Sequence, residues 1–345
     1  MTALTAPALL LNGLPGSPYT RKMVALLRYR RLAYRLVPQA QPLEGLPPPK
    51  PPLLPTFYLP DEQGRLRGVT DSTPLIRRFE AEHAGRSVIP PDPAMAFIDA
   101  LLEDFADEWL TKAMFHYRWS YEPDIAKAGQ VLACWRGAPH DDASLAQTAA
   151  AVAGRQIPRL RYVGSNATTG PVIEAGYVRV LQALESHLQQ HPYLMGQRPG
   201  SSDFALYGQL TQLAHFDPTP MALAVQHAPR VWAWTALTED LSGLEPTDAH
   251  WLSELPTTLR ALLAEAGRLY APLLLANARA LAAGRTELHT QVDGQPWVQQ
   301  AFPYQAKCLA WLRRDYDALG APARQRVDGW LAGTGCEALV DTANR

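Results

Sequence analysis

The segment GSPYT, residues 16–20, joins an apolar run to a basic amphipathic stretch, and it places a serine where chemistry is possible. Ser17 and Pro18 begin a predicted helix over residues 18–31. Serine is a preferred N-cap and proline is common at the first helical position, so helix capping alone explains the pair. A hydroxyl at a helix N-terminus can also donate a hydrogen bond to an anion, which the helix dipole stabilises further. The residues leave both roles open for Ser17.

A second group of candidates lies on the amphipathic stretch 96–119, which its apolar spacing predicts to be one helix. Trp109, His116, Tyr117 and Trp119 would give this helix an aromatic surface with one titratable side chain. Aromatic residues at helical spacing usually pack in a core, so packing and pocket lining both remain possible. His116 could transfer a proton at neutral pH if it faces a substrate.

Composition narrows the class of protein. The 345 residues carry a formal net charge of −1 with both signs mixed, which argues against a nucleic-acid partner. No apolar run reaches about 18 residues, so we expect no membrane-spanning helix. The N-terminus lacks a basic n-region and is expected to be mature protein rather than a signal peptide. The three cysteines form no C-x-x-C pair, which predicts no metal site, no disulfide framework and a cytoplasmic protein.

Residues 1–84 are predicted to form a small α/β unit. Periodicity and turn residues indicate a strand (8–12), a helix (18–31), a strand (32–38), a β-hairpin (53–69) and a helix (71–83). The stretch between the second strand and the hairpin is too rich in proline for a regular helix. The expected order is therefore βαβ–ββα.

A proline-rich linker then leads to a helical region. Residues 95–245 are predicted to form an all-helical domain with an insertion at about 121–170. Residues 246–345 add a C-terminal extension, which is predicted to be helical because it contains two further strong helical patterns.

These features resemble the glutathione transferase superfamily, which has a thioredoxin-like N-terminal domain and an all-helical C-terminal domain. SPYT resembles the family's active-site turn, LLPTF its cis-proline motif, and Asp71–Ser72 its acidic-serine pair. LMGQRPGSSDFALYG resembles the helical turn that ends in Asp203, which we expect to cap its helix. The resemblance covers about 8–84 and 96–243. It implies an α/β plus all-α fold with an enlarged helical domain.

The resemblance also implies roles for particular residues. Ser17 would donate a hydrogen bond to the glutathione sulfur and stabilise the thiolate. A cis bond at Pro55 would turn the backbone of Leu54 toward the cysteinyl unit. Asp71 and Ser72 would hold the ammonium and the carboxylate of the γ-glutamyl unit.

Other positions depart from the family pattern or are less specific. The family's second helix is replaced by the proline stretch, in which Lys50 would face the glycyl carboxylate. The helical domain would supply the acceptor pocket, through Trp109, His116, Tyr117 and Trp119. Tyr19 could border that pocket, supply a phenol in place of the Ser17 hydroxyl, or simply pack.

The function implied is that of an enzyme that activates the glutathione thiol for attack on a small, mostly apolar electrophile, as a cytoplasmic homodimer. Serine in place of cysteine at the active-site turn disfavours thiol–disulfide exchange, because only a thiolate can form a mixed disulfide. Two alternatives remain: a non-catalytic binding or scaffolding protein on the same fold, and a glutathione-dependent isomerase, ether-cleaving enzyme or dehalogenase. The long extension could block or remake the dimer interface, or cover the acceptor pocket.

Overall fold

The structure, a computed structural model, describes residues 8–137 and 141–344. Its N-terminal unit contains, in order, β1 (Leu9–Asn12), α1 (Pro18–Tyr29), β2 (Tyr34–Val37), β3 (Thr56–Pro60), β4 (Leu66–Val69) and α2 (Ser72–Glu82). The sheet order is β2-β1-β3-β4, with β1 parallel to β2 and β3 antiparallel to both β1 and β4. The predicted order βαβ–ββα is confirmed.

The proline-rich stretch between β2 and β3 contains no helix, as predicted. Hydrogen bonds from outside hold it in place instead. The Asn12 side chain donates to the carbonyls of Gln39 and Gln41 at 3.1 and 3.2 Å. The Leu43 N–H donates to the Tyr58 hydroxyl at 2.8 Å. An irregular segment rich in proline is thus fixed against the sheet without a backbone ladder of its own.

The helical region contains α3 (Pro93–Phe105), a π-helical turn (Ala106–Leu110), α4 (Thr111–Ser120), α5 (Glu122–Trp135), α6 (Asp142–Gln156), a 3-10 helix (Ile157–Val163), α7 (Gly170–His187), α8 (Ser201–Leu213), α9 (Pro218–His227) and α10 (Pro229–Leu237). The single helix expected over 96–119 is therefore interrupted. At the π turn the Asp107 carbonyl accepts hydrogen bonds from the hydroxyls of Thr111 and Tyr19, at 2.6 and 2.9 Å. In this π-helical turn, which is wider than an α-helical turn, side-chain hydroxyls thus donate hydrogen bonds to a backbone carbonyl.

The C-terminal extension contains α11 (Thr257–Leu269), α12 (Ala271–Ala282), β5 (Glu287–Val292), β6 (Gln295–Gln300), α13 (Pro303–Asp317), α14 (Ala321–Leu331) and α15 (Glu337–Val340). Its antiparallel β5–β6 hairpin corrects the prediction of an all-helical extension. Asp293 and Gly294 form the turn with φ values of 51° and 74°, as a two-residue hairpin turn of type I′ requires. An Asp-Gly pair between alternating residues was the available signal.

The extension and the helical region share one hydrophobic core. Trp109 of the π turn packs against Trp297 of β6, with 5.8 Å between ring centroids. Phe97 of α3 packs edge-on against Tyr316 of α13 at 5.8 Å. Every helix in residues 8–137 and 141–344 is too short or too polar to cross a bilayer.

Backbone contact fixes the last part of the extension on α11. A Cβ atom on Gly267 would lie 2.0 Å from the Thr334 carbonyl oxygen and 2.8 Å from the Cys336 nitrogen. Gly267→Ala should therefore lower the free energy of unfolding by about 1–3 kcal/mol, as overpacking does. Urea denaturation followed by circular dichroism measures this loss. Gly329→Ala on α14, where a Cβ meets open space, is the matched control and should be neutral or stabilising.

Candidate functional site

Ser17 lies half-buried at the start of α1, where its hydroxyl has two partners. Its Oγ accepts a hydrogen bond from the Thr20 N–H at 3.2 Å, so Ser17 is the N-cap of α1. The same hydroxyl donates to the Leu54 carbonyl at 3.2 Å. Capping uses a lone pair and leaves the proton free, but the bond to Leu54 uses that proton. Donation to an anion would require the hydroxyl to turn away from Leu54.

The Leu54–Pro55 peptide bond is cis, as predicted. It directly precedes β3 and places the Leu54 carbonyl beside Ser17. The Lys50–Pro51 bond is also cis, which was not predicted. Lys50 itself is exposed on the proline-rich stretch.

Two apolar side chains of α5 lie against the turn at residues 16–20. A Cβ on Gly16 would be 2.4 Å from a methyl carbon of Leu132 and 3.0 Å from the Trp135 ring. Gly16 thus permits close approach of α5, and both side chains are partly buried. Leu132 and Trp135 therefore border Gly16, the residue before Ser17, and neither was predicted from the sequence as a site residue.

Asp71 and Ser72 form the start of α2. Asp71 has φ 81° and ψ 105°, a rarely populated conformation for a residue with a Cβ. Its side chain does not cap the helix. The Ser72 Oγ accepts a hydrogen bond from the Lys22 ammonium at 3.1 Å, so the Ser72 proton is left to donate elsewhere. A helix N-terminus with a hydroxyl donor suits a carboxylate, and the Asp71 carboxylate suits a cation.

Lys22 connects this site to the helical region. Its ammonium is buried and lies 2.8 Å from Glu103 Oε1 and 2.6 Å from Asp107 Oδ2. Burial disfavours the Glu103 carboxylate, but the charges of Lys22 and Arg77 outweigh it and hold the pKa of Glu103 at about 2. Lys22 was not singled out from the sequence, although it shares the buried face of α1 with Leu26 and Tyr29.

Helix α13 of the extension also reaches this site. The Tyr304 hydroxyl donates to Asp71 Oδ1 at 2.9 Å, and the Lys307 ammonium lies 3.8 Å from Asp71 Oδ2. Burial raises the pKa of Asp71, and the Tyr304 hydrogen bond and the Lys307 charge offset this only in part. Sequence reasoning assigned no site residue to the extension.

The side chains predicted to border the acceptor pocket make contacts within the protein. The Tyr19 hydroxyl lies 2.9 Å from both the Asp107 carbonyl and the Thr111 hydroxyl, and burial raises its pKa well above the usual value. Trp109, Tyr117 and Trp119 are at most 2 % exposed. Their burial argues against direct contact with a substrate.

His116 is buried, and both its ring nitrogens have partners. Nδ1 lies 2.7 Å from the Ser165 hydroxyl and Nε2 lies 3.0 Å from a Glu174 carboxylate oxygen. The imidazole therefore links α4 to α7 and to Ser165, which lies between the 3-10 helix and α7. Asp203 accepts from the Leu194 and Gly200 N–H groups at 2.8 and 2.9 Å, which agrees with its expected capping role.

Two family models match this chain. The glutathione S-transferase N-terminal domain matches residues 11–87, and the glutathione S-transferase C-terminal domain matches residues 143–237. The second match begins within the expected insertion and ends before the extension. No curated protein sequence matches the chain significantly.

The solved structures that are similar to this chain share little sequence with it. A glutathione S-transferase from Methylobacterium radiotolerans, in complex with glutathione sulfonate, is 18% identical to this chain, with a TM-score of 0.42. The alignment covers 70% of this chain and 93% of the transferase chain. One from Rhodospirillum rubrum is 18% identical with a TM-score of 0.42, covering 74% and 91%. FzlA from C. crescentus is 18% identical with a TM-score of 0.39, covering 75% and 92%.

Proposed function

The chain belongs to the glutathione S-transferase superfamily, and from that premise we propose that it binds glutathione and activates the thiol for attack on a small, mostly apolar electrophile. The observation that carries the proposal is the Ser17 hydroxyl at the start of α1, hydrogen-bonded to Leu54 beside a cis-proline. Asp71 and Ser72, on the neighbouring helix start, supply the complementary charge and donor for an amino-acid head group.

Ser17 acts on the sulfur in this proposal. When the cysteinyl thiolate is bound, the hydroxyl turns from the Leu54 carbonyl and donates to sulfur. Lowering the thiol pKa by about two units requires about 2.7 kcal/mol of preference for the anion. A hydrogen bond to a charged group contributes about 1.5–3 kcal/mol, and a helix N-terminus adds about 0.3–1 kcal/mol. These two contributions suffice without a general base.

The rest of the tripeptide is held by backbone and side-chain groups. Leu54 offers its backbone to the cysteinyl unit in strand-like pairing. The Ser72 hydroxyl donates to the γ-glutamyl carboxylate, because Lys22 already occupies one of its lone pairs. Asp71 accepts from the ammonium. Lys50 would pair with the glycyl carboxylate, and as an exposed lysine it would contribute at most about 1 kcal/mol.

The electrophile is proposed to bind against Leu132 and Trp135, next to the Ser17 turn. The thiolate forms a carbon–sulfur bond there, and a leaving group departs or the adduct takes up a proton from water. Isomerisation, ether cleavage and dehalogenation share this first step. We further propose a cytoplasmic homodimer, as the family implies.

Isothermal titration with glutathione, and in parallel with glutathione disulfide, tests the proposal. We expect glutathione to bind in the micromolar to low-millimolar range. Asp71→Asn, which keeps the side-chain shape and tolerates positive φ, should weaken binding about tenfold because the ammonium loses its carboxylate. No heat from either ligand at several millimolar would instead support the non-catalytic scaffold.

A further inference from the structure

The Asp71 carboxylate has a second set of neighbours, and they come from a part of the chain that neither family model covers. Helix α13 places Tyr304 and Lys307 on it, more than 230 residues away in sequence. The two residues are one helical turn apart, so they lie on the same face of α13. The extension therefore forms one wall of the proposed γ-glutamyl subsite.

Tyr304 and Lys307 contact the carboxylate differently. The Tyr304 hydroxyl donates to Oδ1 at 2.9 Å, an ordinary hydrogen bond. The Lys307 ammonium lies 3.8 Å from Oδ2, which is within ionic attraction but beyond hydrogen-bond length. Asp71 Oδ2 can therefore accept a further hydrogen bond, and the Lys307 ammonium can donate to a further partner.

Aromatic rings hold the lysine at this position. Its ammonium lies 4.3 Å from the centroid of the Trp311 ring and 5.6 Å from that of Tyr304. The side chain is 53% exposed, so solvent and ligands can reach it. The result is a fixed pair of opposite charges, open on one side and next to the donor hydroxyl of Ser72.

A pair of opposite charges that can each form a further hydrogen bond complements a zwitterion. We propose that Lys307 is a binding residue for the α-carboxylate of the γ-glutamyl head group, and that Tyr304 is a positioning residue that orients Asp71 toward the α-ammonium. The inference rests on the proposed function and adds that the extension completes the site within the same chain. A zwitterionic head group is then required of any ligand that binds here with full affinity.

The experiment pairs variants of the full chain with two glutathione analogues in isothermal titration. Lys307→Met should weaken glutathione binding about five- to tenfold, since it removes one partly solvated charge-assisted contact. It should not change the affinity for the γ-aminobutyryl analogue of glutathione, which lacks the α-carboxylate. Tyr304→Phe should weaken glutathione binding and leave the affinity for the glutaryl analogue, which lacks the α-amino group, unchanged. Arg314→Met, further along α13 and paired with its neighbour Asp315, is the matched control and should behave as wild type.

The outcomes separate this inference from the function on which it rests. If wild-type protein binds glutathione and Lys307→Met binds it equally well, the inference is wrong and the function stands. Tighter binding by Lys307→Met overturns it too, because Lys307 would then be a competitor for Asp71. The inference is also wrong if Lys307→Met loses as much affinity for the γ-aminobutyryl analogue as for glutathione, or if Tyr304→Phe loses as much for the glutaryl analogue. Such equal losses would mean that the variants only disturb α13. Failure of wild type to bind glutathione removes both proposals.

Discussion

Replacing Lys22 with methionine should lower the free energy of unfolding by about 3–5 kcal/mol at neutral pH, the largest loss we expect from one side chain. The substitution fits the space but leaves the carboxylates of Glu103 and Asp107 buried without their cation. Removing one partner of a buried ionic group costs more than the group contributes as a whole, because the remaining charges stay desolvated. Urea denaturation followed by circular dichroism measures the loss.

The loss should depend on pH in a definite direction. The pKa of Glu103 is held at about 2 in the folded protein, below its unfolded value. Its contribution to stability is therefore present above the unfolded pKa and declines as pH falls toward 2. The difference between wild type and Lys22→Met should shrink progressively as pH falls from about 7 toward 2, because burial raises the pKa of Asp107 to about 7 and protonation of both carboxylates removes the charges that the variant leaves unpaired.

Two variants check that charge burial is the cause. The triple substitution Lys22→Met, Glu103→Gln, Asp107→Asn removes the charges together and should recover part of the stability. Lys307→Met removes an exposed lysine and should cost no more than about 0.5 kcal/mol. A loss below about 1 kcal/mol for Lys22→Met alone would contradict the ionic explanation.

Ser17→Gly should reduce kcat/KM for glutathione addition to chlorodinitrobenzene by about 10- to 100-fold, because the thiolate loses one charge-assisted hydrogen bond. The pKa of bound glutathione, read from thiolate absorbance in the ultraviolet, should rise by about 1–2 pH units. Stability should fall by no more than about 1 kcal/mol, since glycine is a tolerated N-cap and the Leu54 carbonyl loses one part-buried hydrogen bond.

Asp141→Gly is the matched control for this prediction. Asp141 caps α6, accepting from the Ser144 N–H at 2.8 Å, and lies on an exposed helix start. The substitution should have the same small effect on stability and none on kcat/KM. If Ser17→Gly retains full activity and an unchanged thiol pKa, Ser17 is a helix cap and the hydroxyl has no role on sulfur.

The elements of the N-terminal unit could be predicted because each has a local signal. Ser17 and Pro18 mark the start of α1, the apolar run gives β1, and the prolines exclude a helix after β2. The cis bond at Pro55 was expected from motif resemblance rather than local physics, since most X-Pro bonds in folded proteins are trans. The β5–β6 hairpin was missed although its Asp-Gly turn was visible.

The charge partners could not be predicted, because they come from distant parts of the chain. Glu103 and Asp107 lie 81 and 85 residues from Lys22 in sequence, and Tyr304 lies 233 residues from Asp71. No periodicity within one helix indicates which distant helix will face it. For the same reason Trp109, on a helix expected to line a pocket, is covered by Trp297 instead.

Because the C-terminal extension covers aromatic residues of the helical region, the core is completed late in translation. Trp109, Phe97 and Phe105 pack against Trp297, Tyr316 and Tyr270, all of which leave the ribosome after the helices they cover. Until synthesis passes residue 316, the nascent helical domain presents this aromatic face to solvent. At about 5–20 residues per second, synthesis of the chain from Trp109 to Tyr316 takes about 10–40 s. The extension that completes the core is thus also the segment whose late arrival exposes the chain to aggregation and to chaperones.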